Sequence, residues 1–501
     1  MPPFHLSHFL PQAAARHPQR VFLFDSEKSH TYAEAATLVE RLASGLQRLS
    51  VRAGDRVLIV SENRLELPLL ILAAARAGAV FSVLSSQITA PSFERIVNQC
   101  EPRLIVLESQ RIELRSLCST AKVVVIEQDF ESLNRSPHPD VPQPKGDEAL
   151  ALLVFTSGST GMPRGVMLSH ANLSFVTQAI MARLQYREDD RIGVFLPLSF
   201  DYGLYQIFYA LMTGAALFVG RPEMSGPELP RILARQEITV LPGVPTLFAG
   251  LIKMQSWRPV ELPKLRLLSN TGDHLPLPHI RQLQKLLPEA RIFPMYGLTE
   301  CKRVSIMLPE QIDTHENSVG RPLDGTEVWA ESADGTRLPP GEIGEFIVRG
   351  PHVGLGYWRA PEETAKRYRK LPDGERLLIT GDYGSVDADG FLYFQARSDF
   401  MIKHRGHRMS PVEIEEAACR SPYIAAAGCI KDEAHDKLCL FITTTSAERP
   451  EEAEILAALA ETLERPKIPD RIIHLADLPR TANQKVDRKA LRALLDTEIS
   501  S

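Results

Sequence analysis

Val154-Phe155-Thr156-Ser157-Gly158-Ser159-Thr160-Gly161-Met162-Pro163-Arg164-Gly165-Val166-Met167-Leu168-Ser169-His170 reads as an apolar strand that ends in small hydroxylated residues and glycines, then resumes in apolar residues. A chain with this pattern can build a cradle for phosphate. Gly158 and Gly161 turn the backbone without Cβ clashes, while Thr156, Ser157, Ser159 and Thr160 set hydroxyls beside N–H groups that converge on anionic oxygens. Arg164 adds a fixed positive charge. The spacing is not that of a P-loop, because Pro163 stands five residues after Gly158 and no Gly-Lys-Ser/Thr follows; Gly-x-Gly-x-x-Gly is absent as well. A flexible hydrophilic loop is the plain alternative, and the flanking strands and the basic residue weigh against it.

Short Val/Ile/Leu-rich runs near residues 56–61, 79–84, 103–107 and 122–126 alternate with helix-compatible segments such as 32–49. The alternation resumes after the glycine loop at 192–196, 215–219, 240–243 and 265–269. Such alternation predicts parallel sheets with helices on their faces, here as two α/β layers. From about residue 320 the strands shorten and Gly, Pro and Asp punctuate them, which predicts a small β-rich subdomain over 320–397. A boundary is expected near 398–400, dividing a large N-terminal domain (1–397) from a small α+β C-terminal domain (398–501).

The 501 residues suffice for two or three domains, and 44% hydrophobic with 24% charged residues is the balance of a soluble globular protein. A net charge of −5 gives no electrostatic case for nucleic acid as a partner. Six cysteines without C-x-x-C pairing read as reduced thiols and a cytoplasmic location. The N-terminus has no signal-peptide pattern. The apolar stretch 67–84 is broken by Arg76 and Gly78, so it reads as a buried helix and a strand, with no transmembrane segment expected.

Three further motifs carry chemistry. Met295-Tyr-Gly-Leu-Thr-Glu300 combines an aromatic plane, a hydroxyl and a carboxylate after a strand-like run, or else forms a helix N-terminus with a favourable Glu. Thr380-Gly-Asp-Tyr-Gly384 stands at the end of the apolar strand 377–379, where the Asp382 carboxylate can accept bonds from vicinal hydroxyls. Pro479-Arg-Thr-Ala-Asn-Gln-Lys-Val-Asp-Arg488 places Lys485 near the C-terminus.

In this order the four motifs resemble the signatures of the adenylate-forming (ANL) superfamily, which includes acyl-CoA synthetases, non-ribosomal peptide adenylation domains and luciferases. The resemblance runs through the whole chain. It implies the ANL fold with a mobile C-terminal domain, and an AMP-forming acid–thiol ligase. Such an enzyme joins a carboxylic acid to MgATP as acyl-AMP with release of pyrophosphate, then transfers the acyl group to the phosphopantetheine thiol of CoA or a carrier protein. Thr156 through Gly161 and Arg164 would bind phosphate; Arg164 stands where Lys is usual, a planar fork in place of a compact ammonium. Tyr296 would stack on adenine, Thr299 approach phosphate and Glu300 hold Mg²⁺. Asp382 would anchor ribose, Arg397 contact ribose or phosphate, and Asp399 act as the hinge. Lys485 would enter the site for adenylation, with Gln484 before it where Gly is common. In a second arrangement, Lys403 and Gly406 would face the thiol tunnel.

Pro197-Leu-Ser-Phe-Asp-Tyr-Gly203 is similar to amino-acid adenylation domains, whose Asp binds a substrate amine. Many fatty and aryl acyl-CoA synthetases have a His at the position of Phe200. By the same register Phe200, Asp201, Tyr202, Tyr205, Ser269, Thr271, Met295, Arg303 and Val304 should line the acyl pocket, which favours a small polar acid or an amino acid over a fatty or aryl one. Arg303 is alternatively a partner that simply neutralises Asp201. The basic stretches 403–408 and 485–492 would meet CoA phosphates or an acidic carrier, or form a solvated face. A non-catalytic ATP-binding scaffold is the competing class; a luciferase-like oxygenase has no distinguishing feature in its favour.

Overall fold

The computed structural model describes residues 5–118, 121–135, 146, 148–157, 163–397, 402–404, 407–421, 423–433, 435–444, 451–461, 463, 465–481 and 486–498. Two large sheets dominate. The seven-stranded one runs in the order Gly356–Tyr357, Pro163–Ser169, Leu150–Ser157, Val80–Leu84, Arg56–Val60, Leu104–Leu107, Lys122–Val125. The nine-stranded one has Arg191–Val194, Ala216–Val219, Val240–Gly243, Leu267–Asn270 and Arg291–Tyr296 at its centre. Strands joined by helical crossovers pair in parallel, as the alternation predicts.

The sheets are not parallel throughout. Leu150–Ser157 and Pro163–Ser169 form an antiparallel hairpin, because the glycine loop between them is far too short for a crossover. The nine-stranded sheet also ends in antiparallel edges. Helices Glu66–Arg76 and Asp201–Thr213 are buried on nearly every face, which marks them as layers inside one continuous core. Buried Arg76 in the first of them is held by the Glu40 carboxylate.

A five-stranded antiparallel sheet built on Arg376–Val386 forms the β-rich unit. Its long strand corrects the expected end at residue 379: Thr380, Gly381 and Asp382 lie inside the strand, and its pairing with Leu392–Arg397 shifts register between Tyr383 and Gly384. The last part of the chain carries the hairpin Ile402–His404 and His407–Met409 and the sheet Ile424–Asp432, Lys437–Thr444, Arg471–His474. Its helices are Pro411–Cys419, Glu452–Ala460 and Arg488–Glu498. It has its own apolar clusters, one around Ile414, Cys429 and Leu440 and one around Phe441 and Leu491.

Candidate active site

Strand Arg291–Tyr296 delivers Tyr296 to the edge between the nine-stranded sheet and the β-rich unit. Gly297 then turns the chain with no room for a side chain, since a Cβ there would stand 2.3 Å from the carbonyl oxygen of Lys302. No helix begins at this motif: residues 299–301 form a turn, so Glu300 is not a helix-capping acid. The Tyr296 hydroxyl donates to Asp382 Oδ2 at 2.6 Å, and its ring is flanked by Phe346 and Phe394. Asp382 is buried, and its other oxygen lies 3.1 Å from Arg397 Nε on the paired strand. Thr380 Oγ1 accepts the Asp382 N–H at 3.0 Å within the strand. Tyr296, Asp382 and Arg397, far apart in sequence, thus form one contact set.

Glu300 accepts a bond from the Tyr357 hydroxyl at 2.7 Å. Arg164 lies 5.7 Å over the same Tyr357 ring and pairs with Glu363 at 2.7 Å. Thr156 and Arg164 face each other across the hairpin, and the Thr156 hydroxyl reaches the Arg164 carbonyl at 3.5 Å. The cradle flanks and the Glu300 turn are therefore joined through Tyr357. Nothing local in Gly356-Tyr357-Trp358 marks that residue in the sequence. Gly158, Ser159, Thr160, Gly161, Asp399, Gly406 and Lys485 lie outside the described residues, as do the side chains of Ser157 and Lys403.

Of the residues expected to line an acyl pocket, Phe200, Tyr202, Ser269, Thr271 and Arg303 contact one another at the start of helix Asp201–Thr213. Asp201, Tyr202, Tyr205, Ser269, Thr271, Met295, Arg303 and Val304 are buried. Tyr202 donates to the Ser269 carbonyl at 2.8 Å and meets Ser269 Oγ at 2.6 Å. The Phe200 ring approaches Gly272, whose φ of +94° suits glycine. Arg303 does not neutralise Asp201: its guanidinium donates to Thr271 Oγ1, and its Nε is buried with no hydrogen-bond partner among the described residues. The cation beside Asp201 is Lys302, which sequence reasoning missed. Its ammonium lies 3.6 Å from Asp201 Oδ2 and 4.4 Å over the Tyr205 ring. Burial depresses the Lys302 ammonium to a pKa of about 7, with Arg303 acting the same way and Asp201 opposing. One carboxylate and two cations are thus buried in the same cluster, and the Tyr205 and Tyr209 hydroxyls, on which Asp201 and Arg303 both act, have no hydrogen-bond partner among the described residues.

Among curated proteins, tyrocidine synthase 1 of Brevibacillus parabrevis is 27% identical over 491 residues, which are 96% of this chain and 44% of that protein. The chain spans a still smaller share, 9% and 6%, of two linear gramicidin synthase proteins of the same organism, at 29% and 30% identity. The L-proline--[L-prolyl-carrier protein] ligase of Pseudomonas fluorescens is similar at full length: 28% identity over 95% of this chain and 96% of that protein. Among solved structures, the anthranilate CoA ligase AuaEII with anthranoyl-AMP shares the fold, with a TM-score of 0.91, 24% identity, and coverage of 100% of this chain and 99% of that one. VinN with L-aspartate superposes with a TM-score of 0.71 at 31% identity, over 78% of this chain and 98% of that one. Residues 10–358 match the AMP-binding enzyme family and residues 413–485 match the AMP-binding enzyme C-terminal domain. With the cradle flanks, the Tyr296–Asp382–Arg397 set and both family regions in place, the chain belongs to the AMP-binding enzymes.

Proposed function

We propose that the protein is an AMP-forming acid–thiol ligase acting on a small amino acid that carries a second carboxylate. In the first step a substrate carboxylate oxygen bonds to the α-phosphorus of ATP and pyrophosphate leaves. In the second a phosphopantetheine thiol attacks the acyl carbon and AMP leaves. Tyr296, Asp382 and Arg397 would hold the adenosine, and Thr156 through Gly161 with Arg164 the phosphates. Glu300, an oxygen donor steadied by Tyr357, fits Mg²⁺, a cation usually held by one or two carboxylates together with phosphate. When bound, that ion would neutralise triphosphate charge.

The observation that carries the substrate reading is the charge pattern of this buried cluster, where Lys302 lies against Asp201 and Arg303 acts with Asp201 on the same Tyr205 and Tyr209 hydroxyls. Two cations against one anion leave a buried surplus of positive charge, which is costly without a partner. The reacting carboxylate belongs at the nucleotide, so a second carboxylate is left to meet Lys302 and Arg303, while Asp201 is left for an amine. L-aspartate, present in the VinN complex, has this set of charges. Relatives that use a carrier protein and a neighbour that uses CoA support either acceptor. Six buried free thiols suit a reducing cytoplasm.

Acid-dependent ATP–pyrophosphate exchange tests this. L-aspartate or a close homologue is expected to exceed alanine, succinate, benzoate and octanoate, and Asp201→Ala to move the preference from aspartate toward succinate. A preference for benzoate or octanoate that Asp201→Ala leaves unchanged would overturn it.

A further inference from the structure

The loop that closes the acyl pocket also touches the C-terminal unit. Asp273 and His274 follow Thr271 and Gly272 directly, and His274 Nε2 lies 2.7 Å from Glu416 Oε1 on helix Pro411–Cys419. Beside Glu416 on that helix, Glu415 accepts the Cys429 N–H at 2.7 Å and pairs with Arg488, the first residue of the last helix. Asp273 is close enough to act electrostatically on His274, Glu415, Arg480 and Arg488. Arg420 faces Glu416, and Asp477 faces Arg480. Charges of both signs from two separately cored units therefore meet at one point, three residues from the arginine-binding hydroxyl of Thr271.

This contact selects one arrangement of the two units. It brings Arg480 and Arg488, the described flanks of the terminal motif, to the pocket loop. On the hairpin Ile402–His404, His404 is buried against Asp470 and Asp436 of its own unit, at 3.3 and 3.7 Å, and takes no part in this contact. We infer that the His274–Glu416 pair is a latch that positions the C-terminal unit for adenylation and must open before thioester formation. The inference rests on the two-step reading proposed above. His274 is a positioning residue here, since its charged contact is with Glu416 of the other unit. Burial alone would lower its pKa, yet the surrounding Glu416, Asp273 and Glu415 raise it, so the imidazolium that the latch needs is favoured.

The test separates the two half-reactions in the full-length protein and adds a readout independent of activity. His274→Ala is expected to slow pyrophosphate exchange about tenfold, the weight of one partly buried charged contact, while thioester formation from supplied acyl-adenylate is unchanged or faster. His274→Lys, which keeps the charge, should restore exchange. Because all six native cysteines are buried, labels can be placed selectively at the exposed positions Glu261 and Glu452 by cysteine substitution. The distance between them should be narrowly distributed in the parent protein and broadened in His274→Ala. Equal loss of both half-reactions, or an unbroadened distance, would overturn the latch. If the parent protein shows no exchange with any acid while His274→Ala still broadens the distance, the pair's hold on the two units stands and the proposed reaction falls.

Discussion

Lys302 is buried in one cluster with a guanidinium and a single carboxylate, so in the proposed reading its charge state would govern which acid is accepted. With its pKa depressed to about 7, the free protein carries the ammonium below that pH and loses it above. kcat/KM follows the free enzyme, so for an amino dicarboxylic acid it should fall as pH rises through about 7. Lys302→Met should remove that alkaline limb and lower kcat/KM for aspartate by about ten- to a hundredfold, the weight of a charge-assisted bond, with a smaller loss for alanine. A parallel pH profile in the variant would exclude the role. Phe200 and Asp201 are legible in the sequence because they stand in a motif before a helix. Lys302 is not, and the reason is local. Its φ of +64° and the bond from the Arg303 N–H to the Cys301 carbonyl break strand alternation, so two successive basic side chains turn into one pocket. The family register, which names Arg303 and Val304, passes over Lys302.

Elements show the same division between pattern and context. Helix His170–Leu184 announces itself through Ser169 and Asn172, which cap each other. The partner of its first residue is invisible in sequence: His170 stacks on His5 with centroids 3.4 Å apart, and its Nδ1 accepts the Leu6 N–H at 3.2 Å. The N-terminal helices are thereby pinned to the start of this one. Burial first, then His5 and His8, depress the His170 pKa from 6.5 to about 3, so the folded chain keeps the ring neutral. Below pH 6.5 the unfolded chain takes up a proton that the fold refuses; the stability from this residue is full above that pH and lost progressively as pH falls toward about 3. His170→Gln should therefore lower Tm at pH 7.5 yet give a shallower decline of Tm between pH 6.5 and 4.5, measured by thermal melts. Parallel declines would show that the ring carries no such linkage. The strand Arg376–Val386 looks too short in sequence for a related reason. Gly381, at φ +70°, has the character of a chain terminator, whereas here it is an irregularity within a continuing ladder that carries Asp382 to Tyr296 and Arg397.

Across the whole molecule, two α/β layers, a β-rich unit and an α+β tail can be read from alternation and punctuation, because each layer's period is set by its own burial. Antiparallel edges cannot, since they depend on which distant strand reaches a sheet, as Gly356–Tyr357 does on Pro163–Ser169. The proposed division near residue 398 has physical support: the large core holds residues from Leu6 to Leu392, while separate clusters start at Ile402 and Ile430. Units with independent cores can turn against each other without exposing either interior. Two arrangements would let one pocket serve two reactions, and variants in the terminal motif and at residues 403 and 406 make that separable. Lys485→Ala is expected to reduce pyrophosphate exchange by about a hundredfold or more, the scale of one charge placed where a transition state gathers negative charge, and to spare thioester formation from supplied acyl-adenylate. Lys403→Ala or Gly406→Trp should do the reverse. The two half-reactions are compared within each variant, so a folding defect, which lowers both together, is distinguished from a lost role. Near-normal exchange in Lys485→Ala would remove that lysine from the chemistry. Equal losses of both half-reactions in all three variants, with melting temperatures unchanged, would mean that a single arrangement of the two units carries both steps.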